Sequence, residues 1–201
     1  MSQNEKHSEK MKRLKTSKQK IFSKKTEKKG LIIVNTGTGK GKSTAGFGMV
    51  FRAIAHGMPC AVVQFIKGAM ATGERTLIQK HFHELCEFHT LGDGFTWDTQ
   101  DKEKDIASAM KAWSKAKELI LDKEKKIILL DEINIALRYG YIEIDDVVSF
   151  LLDKKPKMTH VILTGRNANE NLIHIADLVT DMTLVKHHFR NGVMSQAGIE
   201  F

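Results

Sequence analysis

Three short stretches carry the residue types that phosphate and metal chemistry require. The first is "NTGTGKGKSTAGFG" (35–48), where Gly37, Gly39 and Gly41 alternate with Thr38 and Lys40 before Lys42, Ser43 and Thr44. Glycines at such positions let backbone N–H groups turn inward on an anion, a lysine adds charge, and a hydroxyl just inside the following helix can ligate Mg²⁺. The usual pattern, G-x-x-x-x-G-K-[ST], is met except at its first position, where Thr36 stands in place of Gly. Lys40 and Lys42 together suit a long, highly charged polyphosphate, against the plainer alternative of a flexible Gly turn. The second stretch is Asp131-Glu132 at the end of "IILL": one carboxylate can hold Mg²⁺ while the other faces the reacting end, although an acidic first turn of a helix reads the same way. The third is Arg166, which closes "VILTG" and is placed to reach the far phosphates.

A fourth cluster is less specific. "HFHELCEFH" offers His81, His83, Cys86 and His89, residue types that bind zinc. His-x-His is also what a strand with one polar face shows, and no paired Cys-x-x-Cys accompanies it. His187-His188 reads as strand surface or polar lining.

The elements that must position these groups alternate from Gly30 onward. "LIIVNT" (31–36) is a strand entering the Gly loop and "KSTAGFGMVFRAIAHG" (42–57) the helix leaving it, ended by Gly57 and Pro59. "CAVVQFI" (60–66), "CEFHTL", "KIILLDE" (126–132) and "HVILTGR" (160–166) read as further strands. Between Asp101 and Leu121, Ile106, Met110, Trp113, Ala116 and Ile120 recur at helical spacing, which predicts a helix with Trp113 in the core. "LVTDMTLVKHHFRNGVMSQAGIEF" predicts a C-terminal β-hairpin turning at Asn191-Gly192. The glycine loop between the first strand and helix resembles the phosphate-loop NTPase-like (RecA-like) type, and the alternation implies an α/β fold, a mostly parallel sheet flanked by helices with ligands at the carboxyl ends of the strands. All three candidate stretches end there.

Bulk properties narrow the classes. A chain of 201 residues with 41% hydrophobic content sustains one good core. No apolar run reaches membrane-spanning length and no apolar signal core opens the chain, so a cytoplasmic protein without membrane contact is expected. Cys60 and Cys86 sit in strand-like runs, which fits a reducing compartment better than a disulfide framework. The formal charge of +8 is confined to one place: residues 1–29 hold 11 of the 32 basic and 3 of the 24 acidic residues, leaving 21 of each in 30–201. The division is therefore a basic arm (1–29), disordered or conditionally helical, and an α/β domain (30–201). Met11, Leu14, Ile21 and Phe22 allow part of the arm to become helical against a partner. An electrostatic arm for nucleic acid lacks aromatic interleaving, so no nucleic-acid partner is expected.

These motifs give a Mg-nucleotide protein and leave the reaction open. The sequence closely resembles the ATP:corrinoid adenosyltransferases of the phosphate-loop type, through "TGTGKGKSTAGFG" (36–48), "VQFIKG" (63–68), "TGER" (72–75), "GFTWDTQ" (94–100), "LLDEI" (129–133), "TGR" (164–166) and "VKHHFRNGVMSQAGIEF" (185–201). Thr36 fits that family's own version of the loop, whereas Thr38, where Asn is usual, and Ser43, where Thr is usual, depart from it. The resemblance implies attack by a Co(I) corrinoid on the 5′ carbon of ATP, with Mg²⁺ or Mn²⁺ held by Ser43 and Asp131 or Glu132, and with Lys40, Lys42 and Arg166 drawing off tripolyphosphate. It further implies that Phe95 and Trp97 form an apolar wall that strips the lower axial ligand from Co(II). A reduced flavoprotein such as flavodoxin, a homodimer, and an arm folding over the corrinoid complete the expectation. A phosphotransferase or NTPase using the loop conventionally is the rival, and a nucleotide-gated nucleic-acid binder the third class.

Overall fold

The computed structural model describes residues 3–65, 72–91 and 101–201. Six strands, β1 (Ile32–Thr36), β2 (Cys60–Gln64), β3 (Cys86–Thr90), β4 (Ile127–Asp131), β5 (His160–Thr164) and β6 (Leu178–Asp181), form one sheet of order β3-β2-β4-β5-β1-β6. Every pairing is parallel. Continuous apolar runs such as "IILL" are what a sheet covered on both faces demands.

Helices α2 (Lys42–Ala55) and α3 (Gly73–His81) cover one face, and α4 (Lys102–Leu121), α5 (Ile133–Arg138), α6 (Ile144–Asp153) and α7 (Glu170–Ile175) the other. Alternate residues of each strand divide between two cores. Ile33, Val62, Leu129 and Ile162 meet Phe47, Val50 and Ile78; Val34, Val63, Leu130 and Leu163 meet Ala112, Trp113, Ala116 and Leu151. Trp113 is fully buried, as its spacing predicted, and its indole N–H donates to Asp146 Oδ2 at 2.7 Å. Met110 is not: it is exposed, and Ala109 faces the sheet instead. The small residues Ala109, Ala112 and Ala116 set that face, because they let the helix lie close to the strands.

Cys60 and Cys86 lie opposite each other on β2 and β3 as free, buried thiols, with burial pushing them up to about 11 and about 12. The predicted C-terminal hairpin does not form. β6 pairs with β1 in parallel, and His188–Asn191 make a 3₁₀ turn that Gly192 caps at φ 78°. Asn-Gly supplies the left-handed residue that any tight reversal needs, and the sequence signal alone does not say that a strand must follow. Helix α1 (Gln3–Phe22) buries no residue. Among the described residues no helix is long and apolar enough to cross a membrane.

Candidate active site

β1 delivers the chain into the glycine loop, and the loop's geometry explains its composition. Gly37 and Gly41 adopt φ 101° and 106°, which only glycine takes without strain. A Cβ on Gly37 or Gly39 would stand within 3.0 Å of the backbone of Met182, because the segment following β6 lies against the loop. Two hydrogen bonds fasten that contact, from Gly39 N–H to Met182 O (2.6 Å) and from Met182 N–H to Thr36 O (2.9 Å). The alternating glycines thus serve close backbone packing behind the loop as well as an open front.

Thr36 has its own function in this arrangement. Its buried hydroxyl accepts the Ala168 N–H at 2.9 Å, tying the first loop residue to the turn that carries Arg166. Glycine at this position would lack the acceptor. Lys42 begins α2, is only 6% exposed, and donates from its ammonium to the Gly39 carbonyl. Burial, with help from the positive charges of Arg166 and Lys40, pulls its pKa below the ordinary lysine value against the opposing pull of Glu132 and Asp181.

At the neighbouring strand ends a row of polar side chains crosses the sheet on the α2 face. Thr90 hydroxyl donates to Gln64 Oε1 (3.4 Å), Gln64 Nε2 to Asp131 Oδ2 (2.9 Å) and Thr164 hydroxyl to Asp131 Oδ1 (2.8 Å). The Glu132 N–H then donates to the Thr164 hydroxyl at 3.0 Å. Asp131 is fully buried within this row, whereas Glu132 adopts a left-handed backbone (φ 64°) and turns towards the loop. A non-glycine residue held there costs of order 1 kcal/mol or more and persists only where its surroundings fix it. Thr164 provides one such constraint. Gly165 provides space for another: at φ 127°, a Cβ on it would meet Asn134 Cβ at 2.9 Å and Glu132 Oε2 at 3.2 Å. Asn134, also buried, donates to the Gly165 carbonyl at 3.1 Å and so braces the turn before Arg166.

These elements bound a cleft of about 380 Å³ lined by Gly39–Thr44, Gly73, Glu74, Glu132, Arg166 and residues 198–201. Of the residues that the sequence singles out, Gly39, Lys40, Gly41, Lys42, Ser43, Thr44, Glu132 and Arg166 come together here. Thr36, Gly37, Thr38 and Asp131 do not line the cleft; Thr36 and Asp131 sit behind it, and Thr38 is exposed. Phe95 and Trp97 lie outside the described residues. Gly73, Glu74 and Gly198–Phe201 also line the cleft; no phosphate or metal motif marks them in the sequence, and only the family resemblance of "TGER" and the C-terminal ending points to them. The zinc alternative gains nothing: His81 and His83 are exposed, His89 pairs with Glu87 at 3.4 Å, and no three such groups converge among the described residues.

A glycine loop between strand and helix, an acid two strands away, and cations from two segments are the features that binding a polyphosphate ester requires. The profile of one family, the ATP:corrinoid adenosyltransferases BtuR/CobO/CobP, matches residues 28–201. The chain belongs to this family. It is 67% identical over 195 residues to a corrinoid adenosyltransferase of Sinorhizobium, covering 97% of this chain and 91% of that one. It is 45% identical to the corrinoid adenosyltransferase of Pseudomonas aeruginosa, across 98% of this chain and 96% of the relative. Identity to the corrinoid adenosyltransferase of Escherichia coli K12 is 39%, across 98% of each chain. As a corrinoid adenosyltransferase the protein acts on ATP and a corrinoid.

Proposed function

We propose that the protein transfers the 5′-deoxyadenosyl group of MgATP to the Co(I) of a reduced corrinoid and releases tripolyphosphate in one piece. The observation that carries this reading is the convergence of Lys40, Lys42 and Arg166 with the loop backbone on a single cleft whose wall also presents Ser43 and Glu132. The substrate's Co(I) supplies the electron pair that forms the Co–C bond, the C5′–O bond breaks, and the departing oxygen carries its pair away on the triphosphate. No protein nucleophile is called for. What the chain supplies is alignment and positive charge around the leaving group.

The Ser43 hydroxyl and Glu132 carboxylate are hard oxygen donors in one wall, a set that suits Mg²⁺ or Mn²⁺. When bound, the metal would add charge neutralisation at the polyphosphate. Asp131, engaged by Gln64 and Thr164, acts from behind, by fixing the Thr164 hydroxyl that holds Glu132 in place. Thr36, Gly37 and Thr38 shape the loop from its other side.

On the corrinoid side, Phe95 and Trp97 remain assigned by family likeness to the wall that removes the lower axial ligand before reduction by a flavoprotein. The exposed apolar residues Leu178, Val179, Val185, Phe189 and Met194 support a second copy of the chain as a neighbour. Helix α1 presents Met11, Leu14 and Ile21 to solvent, and helices in proteins draw most of their stability from packing an apolar face rather than from propensity. That supports the basic arm, residues 1–29, as a cover for bound corrinoid.

Anaerobic incubation with MgATP and Co(I) corrinoid tests the whole reading. The expected products are a light-sensitive alkylcorrinoid and tripolyphosphate in equal amounts. ADP and phosphate, or indifference to the corrinoid, would overturn it.

A further inference from the structure

We propose that Glu200 is a positioning residue for ATP: its carboxylate holds Lys40 across the cleft, making residues 198–201 a wall of the triphosphate site. This deepens the reading of the cleft as the nucleotide site and rests on it.

The segment is built to present that carboxylate. Ile199 and Glu200 donate their N–H groups to Gln196 O at 3.1 and 3.0 Å, Gly198 N–H donates to Phe201 O at 2.7 Å, and Gly198 sits at φ 79°. Glu200 Oε2 accepts the Gln196 N–H at 2.9 Å, so the side chain is locked to its own turn. Oε1 is enclosed and lies 3.1 Å from both Lys40 Nζ and His188 Nε2. The Gln196 N–H, and after it Lys40, keep the Glu200 carboxyl below the usual carboxylate range, so it is charged at neutral pH.

An acid in the wall of a polyanion site opposes binding unless it does something for a cation. Here the two loop lysines are held in different ways. Lys42 is buried and tied to the Gly39 carbonyl of its own loop, whereas Lys40 stands at the mouth, 45% exposed, and meets Glu200. A lysine ammonium has three donors. The ion pair with Glu200 leaves donors for phosphate oxygens, and the rotamer freedom of the four-carbon stem is restricted before ATP arrives rather than on binding. The chain that leads to this segment is fastened at the far side of the loop, where Gly39 and Thr36 bond to Met182.

The test uses the full chain with Glu200→Gln, Lys40→Ala and the double variant, in steady-state assays with MgATP and Co(I) corrinoid and in calorimetric titration of MgATP. Glu200→Gln should raise the KM for ATP and the inhibition constant of tripolyphosphate about three- to fivefold, the range of a partly exposed ion pair. The kcat, the KM for corrinoid and the melting temperature of the unliganded protein should stay near wild type. In the Lys40→Ala background the same change should have no further effect, and Glu200→Asp should recover part of the loss. An unchanged KM for ATP overturns the proposal. So does a lowered one, which would make the carboxylate a competitor of phosphate, and so does an additive loss in the double variant, which would place its effect elsewhere in the fold. Wild-type protein that binds no MgATP would overturn the nucleotide-site reading itself, and this proposal with it.

Discussion

The polar row at the strand ends and the charged rim of the cleft both orient groups around the same space, by opposite means. In the row, Gln64, Asp131 and Thr164 are buried and joined by hydrogen bonds of 2.8–2.9 Å, and nothing but another protein group can replace a lost partner. At the rim, Lys40 pairs with Glu200 while its own side chain stays nearly half exposed. Buried polar groups left unmatched cost about 1–3 kcal/mol each, whereas exposed ion pairs contribute about 0–1 kcal/mol. The row therefore sets geometry, and the rim adjusts affinity.

Between them stands Lys42, buried like the row and charged like the rim, and its removal should have the largest effect. Lys42→Ala should lower kcat/KM for adenosyl transfer by about 10²–10³-fold, the scale for loss of one preorganised electrostatic partner, with a melting temperature close to wild type. Because burial lowers its pKa, Lys42 loses its proton as pH rises through a range below that of an ordinary lysine. ATP affinity should fall over that range in the wild type. A Lys42→Ala protein with the same alkaline limb would assign the titration to another group.

Thr164→Val sharpens the contrast on the buried side. It removes the donor to Asp131 and the acceptor of the Glu132 N–H together, so a stability loss of about 2–3 kcal/mol by denaturant unfolding is expected, with a raised Mg²⁺ requirement. Thr164→Ser should restore most of both; if valine is tolerated without loss, the row is ornament to the site. Thr36→Gly, which restores the commoner loop residue, should cost about 1 kcal/mol by deleting the bond from Ala168 N–H, and should raise the KM for ATP a few-fold through the loosened Arg166 turn. A gain in ATP affinity would show that the threonine hinders rather than braces the loop.

The smallest effect belongs to a surface pair remote from the cleft. Glu87 bonds the Lys125 side chain, which holds its carboxyl below the usual range. Its contribution to stability is present at neutral pH and lost as pH falls through the lowered pKa. Glu87→Gln should cost under about 1 kcal/mol at pH 7, and the difference from wild type should vanish in acid. A large effect at neutral pH would erase the distinction between rim and row.

Much of this architecture is legible in the sequence because its causes are local. The run "LIIVNT" followed by alternating glycines and "KSTAG" specifies strand, loop and helix from neighbouring residues alone, and the helical spacing of Ile106, Met110, Trp113, Ala116 and Ile120 places Trp113 in the core even though Met110 itself is exposed. Asn191-Gly192 misled for the same reason: the dipeptide reports a left-handed residue, and whether strands flank it depends on what lies nearby in space. Here the outer edge of β1 is already taken by β6 in parallel, and the segment after β6 turns back against the glycine loop.

By itself the sequence determined the strands from β1 to β5 with the helices after β1 and before β4, the glycine loop, the acid at the end of β4 and the family. Only the tertiary structure decided that Asp131 faces the row while Glu132 faces the cleft, that Thr36 braces the Arg166 turn, and that Glu200 meets Lys40 from 160 positions away. Periodicity and spacing record what each residue does to its neighbours along the chain. They carry no information about which side chains a parallel sheet, with its long crossovers, will bring to the same end.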